Sequence, residues 1–353
     1  MTNKLSILYL CVLSLSLSAC DDDDSVTSAT EIQAGSEMLI GDGPAGEMQA
    51  GEMQAGEMQA GEMQAGEMQA GEMQAGEMQA GEMQAGAEIN TNTYSQISTG
   101  RYHSCALDLE QQIFCWGRNN YTQTDSPEGR FTALSSGEWH NCAINEAGEA
   151  QCWGDNEFEQ STAPILGALS QISVGYYHSC ALSQSGEMTC WGLDDAGRIT
   201  APTGSFTTLS TGWYHSCALD SAGTISCWGM DSEGQSSAPE GMFKTVASGG
   251  LFSCALDLND SIQCWGANDF AQLDAPSGSF SKIVAGADHA CAIESATNMV
   301  QCWGRNDREQ LNVPNLEFVE IDAGLDHSCG ITTNNEIACW GQNNHGQSEP
   351  TLP

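Results

Sequence analysis

From Tyr94 onward the chain is written in short apolar–polar alternations separated by clusters of turn residues. A first segment such as Phe131-Thr132-Ala133-Leu134 ends at a Gly, and two or three residues later a second follows, as in His178-Ser179-Cys180-Ala181-Leu182. A turn of Asp, Ser, Gly and Asn leads to a third, such as Met188-Thr189-Cys190-Trp191-Gly192. The unit closes with Asn or Asp, usually a Gln, and a Pro-containing loop like Ala238-Pro239-Glu240-Gly241. Alternation with a period of two, bounded by turn residues, predicts strands, and no helical period competes with it here.

The unit recurs. A Trp-Gly dipeptide has its Trp at 116, 153, 191, 228, 265, 303 and 340, and the first segment ends at Gly100, Gly137, Gly175, Gly212, Gly249, Gly286 and Gly324. Three or four short strands per unit of 37–38 residues describe a propeller blade. One blade cannot bury both faces of its small sheet, so the blades must stack around an axis. The fold predicted for 94–353 is therefore an all-β, seven-bladed β-propeller. Tyr94-Ser95-Gln96-Ile97 matches Phe318-Val319-Glu320-Ile321, and the last unit stops at Pro353 before another such segment. The N-terminal strand is thus expected to complete the blade of the seventh repeat and close the ring, removing open edges.

The chain before Tyr94 has a different texture. Lys4 precedes an apolar run from Leu5 to Leu17 that is short for a membrane span. Leu17-Ser18-Ala19-Cys20 resembles the bacterial lipobox, so 1–19 reads as a lipoprotein signal peptide and Cys20 as the acylated first residue of an exported protein. Acyl chains hold a protein to a bilayer at about 0.8 kcal/mol per buried CH₂. The run Asp21-Asp22-Asp23-Asp24 favours the outer membrane or cell surface of a bacterial envelope, whereas Asp21 directly after the Cys allows the inner membrane. Residues 20–93 read as an acidic tether containing eight copies of Gly-Glu-Met-Gln-Ala over 46–85. A five-residue period winds the Met residues around a helix instead of stacking them, and each Gly weakens that helix, so disorder is the expectation. Soft Met sulfurs alone, without His or Cys, make a poor case for Cu(I).

Charge narrows the partners. The chain has 47 Asp and Glu against nine Lys and Arg, a net charge of −38. Both the tether and the repeats are acidic, which argues against nucleic acid and against an electrostatic hold on anionic lipid.

Of the 16 Cys, Cys11 lies in the signal and Cys20 is the lipid site. The other fourteen fall two per repeat across the second turn. That spacing sets the two opposite each other on a hairpin, within bridging reach. An exported chain allows oxidation, which predicts Cys105–Cys115, Cys142–Cys152, Cys180–Cys190, Cys217–Cys227, Cys254–Cys264, Cys291–Cys302 and Cys329–Cys339. Zinc is the competing reading, because a His often stands two residues before the first Cys. A closed zinc site wants four ligands, and each repeat offers at most three. No metal or cofactor is expected.

The pattern Gly-x-x-His-Ser-Cys-Ala-Leu … Cys-Trp-Gly-x-Asn/Asp … Gln resembles the regulator-of-chromosome-condensation repeat in all seven units. The resemblance implies a seven-bladed propeller and says little about function. It is nearer to the exported bacterial branch that includes β-lactamase-inhibitor proteins, in which the loop-covered face binds another protein. The Cys pairs are an addition to that pattern.

Chemistry is sought in what the repeats do not share. His103, His140, His178, His215, His289 and His327 occupy one slot, and catalysis needs a single asymmetric constellation. They read as structural, as do the Trp-Gly tryptophans, while His345 stands out of register on the last loop. No metalloprotease helix, nucleophile elbow or phosphate loop is present. Just after the first-segment Gly, however, the repeats diverge: Arg101-Tyr102, Glu138-Trp139, Tyr176-Tyr177 and Trp213-Tyr214, then Gly250-Leu251, Ala287-Asp288 and Leu325-Asp326. Position along the chain becomes angle around the ring. Tyr102, Trp139, Tyr176, Tyr177, Trp213 and Tyr214 would form an aromatic arc on one face, followed by Leu251 and the acidic Asp288 and Asp326. Large aromatic residues in loops are typical interface anchors. The function expected is a non-catalytic cell-envelope lipoprotein that binds a protein or glycan through this face. The alternatives are a hydrolase or lyase of envelope polysaccharide with carboxylates or a His facing the axis, and a passive spacer.

Overall fold

The computed structural model describes residues 93–351. The signal peptide, Cys20 and the tether up to residue 92 lie outside the described residues. Among those described, the regular structure is seven three-stranded antiparallel sheets, each following chain order. Blade one is Tyr94–Thr99, His103–Asp108 and Ile113–Gly117, and the inner strands of the other blades begin at Phe131, Leu169, Phe206, Phe243, Phe280 and Phe318.

Burial explains the strand sequences. On the inner strand of blade two, Phe131 and Leu134 are buried, Thr132 is exposed, and Ala133 and Ser135 are intermediate. The middle strand, His140–Asn145, is buried along nearly its whole length, because neighbouring blades cover both of its faces. Hence the small, continuous run of Cys, Ala and Ile in place of an alternation. Register sets Cys142 opposite Cys152, and all seven expected disulfides are present.

Each seam between blades holds one apolar cluster. Cys105, Leu107 and Ile113 of blade one meet Phe131, Leu134 and Ala143 of blade two, with Trp153 against them. The closing seam repeats this, with Cys329 and Ile331 of blade seven against Tyr94, Ile97, Ala106 and Trp116.

Closure differs in one respect from the expectation. The N-terminal strand stands at the closing seam, but it does not complete blade seven. It pairs within blade one, Ile97 opposite Ala106 and Ser98 opposite Cys105. The physical reason is that the repeat begins with its inner strand, so blade seven already has three strands and offers no gap. The ring is latched by side chains and by the tail. The Gln347 carbonyl accepts from the Trp116 indole at 2.9 Å and the Ser104 hydroxyl at 3.1 Å. Asp322 Oδ2 accepts from the Thr99 amide at 2.7 Å and its hydroxyl at 3.0 Å.

The Gly residues that end the inner strands form a ring at one end of the axis. A Cβ on Gly137 would lie 2.2 Å from the Gly175 carbonyl oxygen, and one on Gly324 only 2.1 Å from that of Gly100. Close approach of neighbouring backbones, not an unusual φ, requires glycine here. The residues that follow each of these glycines begin the loops of that end of the ring.

Candidate functional site: an aromatic loop face

The shared polar residues are committed to the seams. His103 Nε2 donates to Asn141 Oδ1 at 2.7 Å, and Asn141 passes its own amide hydrogen to the Gln123 carbonyl at 2.8 Å. Elsewhere the partner is a Ser hydroxyl: His140 with Ser179, His178 with Ser216, His215 with Ser253, His289 with Ser328 and His327 with Ser104, at 2.7–2.9 Å. Burial lowers these imidazoles to about 3 or 4, so they are neutral at physiological pH. At the seam between blades five and six both partners change together. Phe252 takes the His slot and Ala290 the Ser slot, both fully buried in one apolar cluster. A hydroxyl without its imidazole would be an unsatisfied buried group, and the paired change avoids that. The Trp-Gly tryptophans are also structural, Trp153 and Trp191 donating to the Gln123 and Gln160 carbonyls at 3.0 and 2.9 Å.

On the loop face the unshared residues come together as contacts. Trp139 lies 5.5 Å between ring centres from Tyr102 and 5.4 Å from Tyr121, and Tyr102 meets His345 at 4.9 Å. A second group joins Phe158 to Tyr177 at 4.9 Å, Tyr177 to Tyr176 at 4.1 Å, and Tyr176 to Trp213 and Tyr214 at 5.7 and 5.5 Å. Tyr102, Trp139, Tyr176, Tyr177, Trp213 and Tyr214 are all half-buried. They pack edge to edge and still present part of each ring to solvent.

Sequence reasoning missed Tyr121, Phe158 and Phe270, and it gave His345 little weight. All four stand two residues before a buried Gln in the loop leaving the outer strand. That Gln accepts the amide of the slot residue through its side-chain oxygen, at 2.8 Å for Tyr121 and Phe158 and 2.9 Å for His345. An Asn at the loop's start accepts a second amide, as Asn119 does from Thr124 at 2.9 Å. The two clips pin the slot residue beside the next blade. The signal was available, since this slot is as unshared as the one after the glycine.

Arginines lie among the rings. Arg101 sits 4.9 Å from the Tyr102 ring and 5.2 Å from Trp139, and it is ion-paired with the buried Glu138. Burial pushes the Glu138 carboxyl up, to about 8, against the pull of Arg101. Burial likewise raises Tyr176 and Tyr214, with Glu138 adding to both. In blade three Arg198 replaces the usual Gln; it is buried, pairs with Asp195 at 2.5 Å and lies 4.8 Å from the Tyr214 ring. Toward the other side, Leu251 is half-buried. Asp288 pairs with Arg305 at 3.4 Å, and Asp326 accepts from Gln310 Nε2 at 3.0 Å. The acidic side of the face is thus partly neutralised by its own loops.

An axial cavity of about 300 Å³ is lined by the inner strands. It contains Lys282, Glu320 and Asp322. Glu320 is ion-paired with Lys282, and Asp322 is held by Thr99. Both carboxylates therefore bridge adjacent blades, and burial raises Asp322 to about 6.

The fold and this face define a disulfide-stapled propeller with a rigid, asymmetric loop surface. Its seven blades match the family model "Regulator of chromosome condensation (RCC1) repeat" over residues 94–123, 131–160, 169–198, 206–235, 243–272, 280–310 and 318–347, and the chain belongs to this family. Among solved structures it is similar to the ectodomain of the Physcomitrella patens receptor kinase CR4, at 25% identity and TM-score 0.62, covering 71% of this chain and 74% of that one. The Crinkly WD40 ectodomain of the Arabidopsis thaliana receptor kinase ACR4 is also 25% identical, with TM-score 0.62, over 74% of this chain and 100% of that one. Prp20p from Saccharomyces cerevisiae, described with its binding to Gsp1p and histones, shares the fold at 15% identity and TM-score 0.59, over 72% of this chain and 83% of that one. No curated protein matches the chain.

Proposed function

We propose that the propeller is the binding head of an exported, Cys20-anchored envelope lipoprotein, and that it recognises a protein partner through the aromatic loop face without performing chemistry. The observation that carries this reading is a pair of ring clusters on the loop face, one joining His345, Tyr102, Tyr121 and Trp139 and the other Phe158, Tyr177, Tyr176, Trp213 and Tyr214. Within each cluster the rings touch across the boundaries between blades, yet none is demanded by the repeat. Half-buried Trp and Tyr that are already immobilised lose little side-chain entropy on binding, which is what interface anchors require. A protein is favoured over a glycan because the loop face in the inhibitor branch that the repeats resemble binds protein, and Prp20p is described with protein partners. The 25%-identical plant ectodomains give the same propeller an extracellular setting, which suits the disulfides and the lipobox-like leader.

The test is affinity capture from the native envelope with the full chain and with a Trp139→Ala/Trp213→Ala variant side by side. The reading expects a defined protein held by the wild type and lost from the variant, each Trp being worth about 2 kcal/mol or more. Equal capture by both would sink it, and a polysaccharide in place of a protein would shift the partner to the glycan class.

A further inference from the structure

The arginines of the loop face differ in what holds them. Arg101 faces Glu138, Arg198 faces Asp195, and Arg305 faces Asp288 and Asp307. Arg118 has no carboxylate within ion-pair distance among the described residues. Its guanidinium lies 5.0 Å from the Trp139 ring centre and 5.6 Å from that of Tyr102. With the Asn120 amide turned to satisfy both of its atoms, the Asn120 oxygen accepts from Arg118 Nε and Nη2 at 2.9 and 2.7 Å. Asp125, the nearer in sequence of the loop's two acids, is held by Asn119 Nδ2 at 2.8 Å. In a chain with 47 acids and nine bases, an arginine on aromatic faces and away from its own carboxylates is an exception.

Its chemistry is specific. A guanidinium carries five donors in a planar fork, of which Asn120 takes two, leaving the rest available to an incoming group. The rings of Trp139 and Tyr102 and the Asn120 oxygen together hold the guanidinium in place in advance. Tyr121, 46% exposed, stands beside Trp139 and supplies an apolar wall. A cation fixed this way suits a carboxylate, which it can bind by two parallel charge-assisted hydrogen bonds.

We propose that the box of Arg118, Tyr102, Tyr121 and Trp139 receives an Asp or Glu side chain of the protein partner. This rests on the reading of the loop face as a protein-binding surface. The surrounding acidic field limits the rest of the partner. At physiological salt it is screened beyond about 8 Å, so a carboxylate in contact with Arg118 is attracted locally. A partner acidic over its whole surface would be repelled. The anchor is therefore one carboxylate, next to apolar or aromatic side chains, on a surface that is neutral or basic around it.

The probe is a displayed random-peptide library panned against the immobilised full chain in detergent, with Arg118→Lys and Arg118→Glu variants in parallel and melting temperatures measured for each. Wild type should enrich peptides carrying Asp or Glu beside an aromatic or branched apolar residue, several-fold over the unselected library. R118K, which keeps the charge but has no fork, should weaken that preference, and R118E should reduce the acid enrichment at least tenfold while retaining its fold. Enriched peptides without an excess of acids, or the same acidic peptides on R118E, would overturn the assignment of the anchor while leaving the binding face standing. Recovery of no peptide, or equal recovery on a Trp139→Ala/Trp213→Ala chain, would overturn the binding face and this inference with it.

Discussion

His178 and Ser216 exemplify what a repeated residue does in this ring. The imidazole of one blade hydrogen-bonds the hydroxyl of the next, and neither side chain reaches solvent. Removing only the hydroxyl leaves a buried ring nitrogen without its partner, so Ser216→Ala should cost about 1–3 kcal/mol. Phe252 and Ala290 show that an apolar pair fits the same slots. The His178→Phe/Ser216→Ala double variant should therefore recover part of that loss, read from a double-mutant cycle in denaturant unfolding. The histidines also predict a pH dependence. Their folded pKa values, about 3 to 4, lie below the ordinary 6.5, so their contribution is present above 6.5 and is lost as pH falls toward 4. Buried Glu138, Asp322, Asp288 and Asp326 are raised and act in the opposite sense. Six imidazoles outweigh four carboxylates, and unfolding midpoints should fall between pH 7 and 4. The fall should be shallower in the double variant, which carries one imidazole fewer; an unchanged slope would contradict a buried neutral His178.

At the scale of the element, the unit is a three-stranded hairpin pair stapled across its second turn. Removing one staple by Cys180→Ala/Cys190→Ala should lower stability by roughly 2–3 kcal/mol in the loop-entropy view. Limited proteolysis should then show easier cleavage in that blade's turn while the others hold. This element was legible in the sequence because its signals are local. Alternation, the Trp-Gly mark and the Cys spacing all act within one blade. What was not legible depends on contacts between blades. Nothing in Tyr94-Ser95-Gln96-Ile97 says whether it pairs forward with His103–Asp108 or backward with blade seven, since both would bury Ile97. Likewise Tyr121 and Phe158 stood in loops explained by turn chemistry, and their meeting with Trp139 and Tyr177 crosses from one blade to the next. Their slot could still have been singled out, because the same position holds Ala196, Glu233, Phe270, Arg308 and His345 elsewhere.

At the scale of the molecule, the ring converts order in the chain into direction on a surface. Seven seams built on one plan make a rigid mount, and the glycine ring brings the loop residues of successive blades side by side. The shared residues explain why the mount holds together, leaving the unshared ones to give the face its direction. Aromatic residues gather over blades one to four, and acids held by Arg305 and Gln310 over six and seven. The most direct test is hydrogen–deuterium exchange of the full chain with and without the protein captured from its envelope. Binding should protect the loops at 101–102, 118–121, 138–139, 176–177 and 213–214, and leave 250–251, 287–288 and the turns at the opposite end of the blades unchanged. Protection confined to those opposite turns, or spread evenly around the ring, would contradict the account.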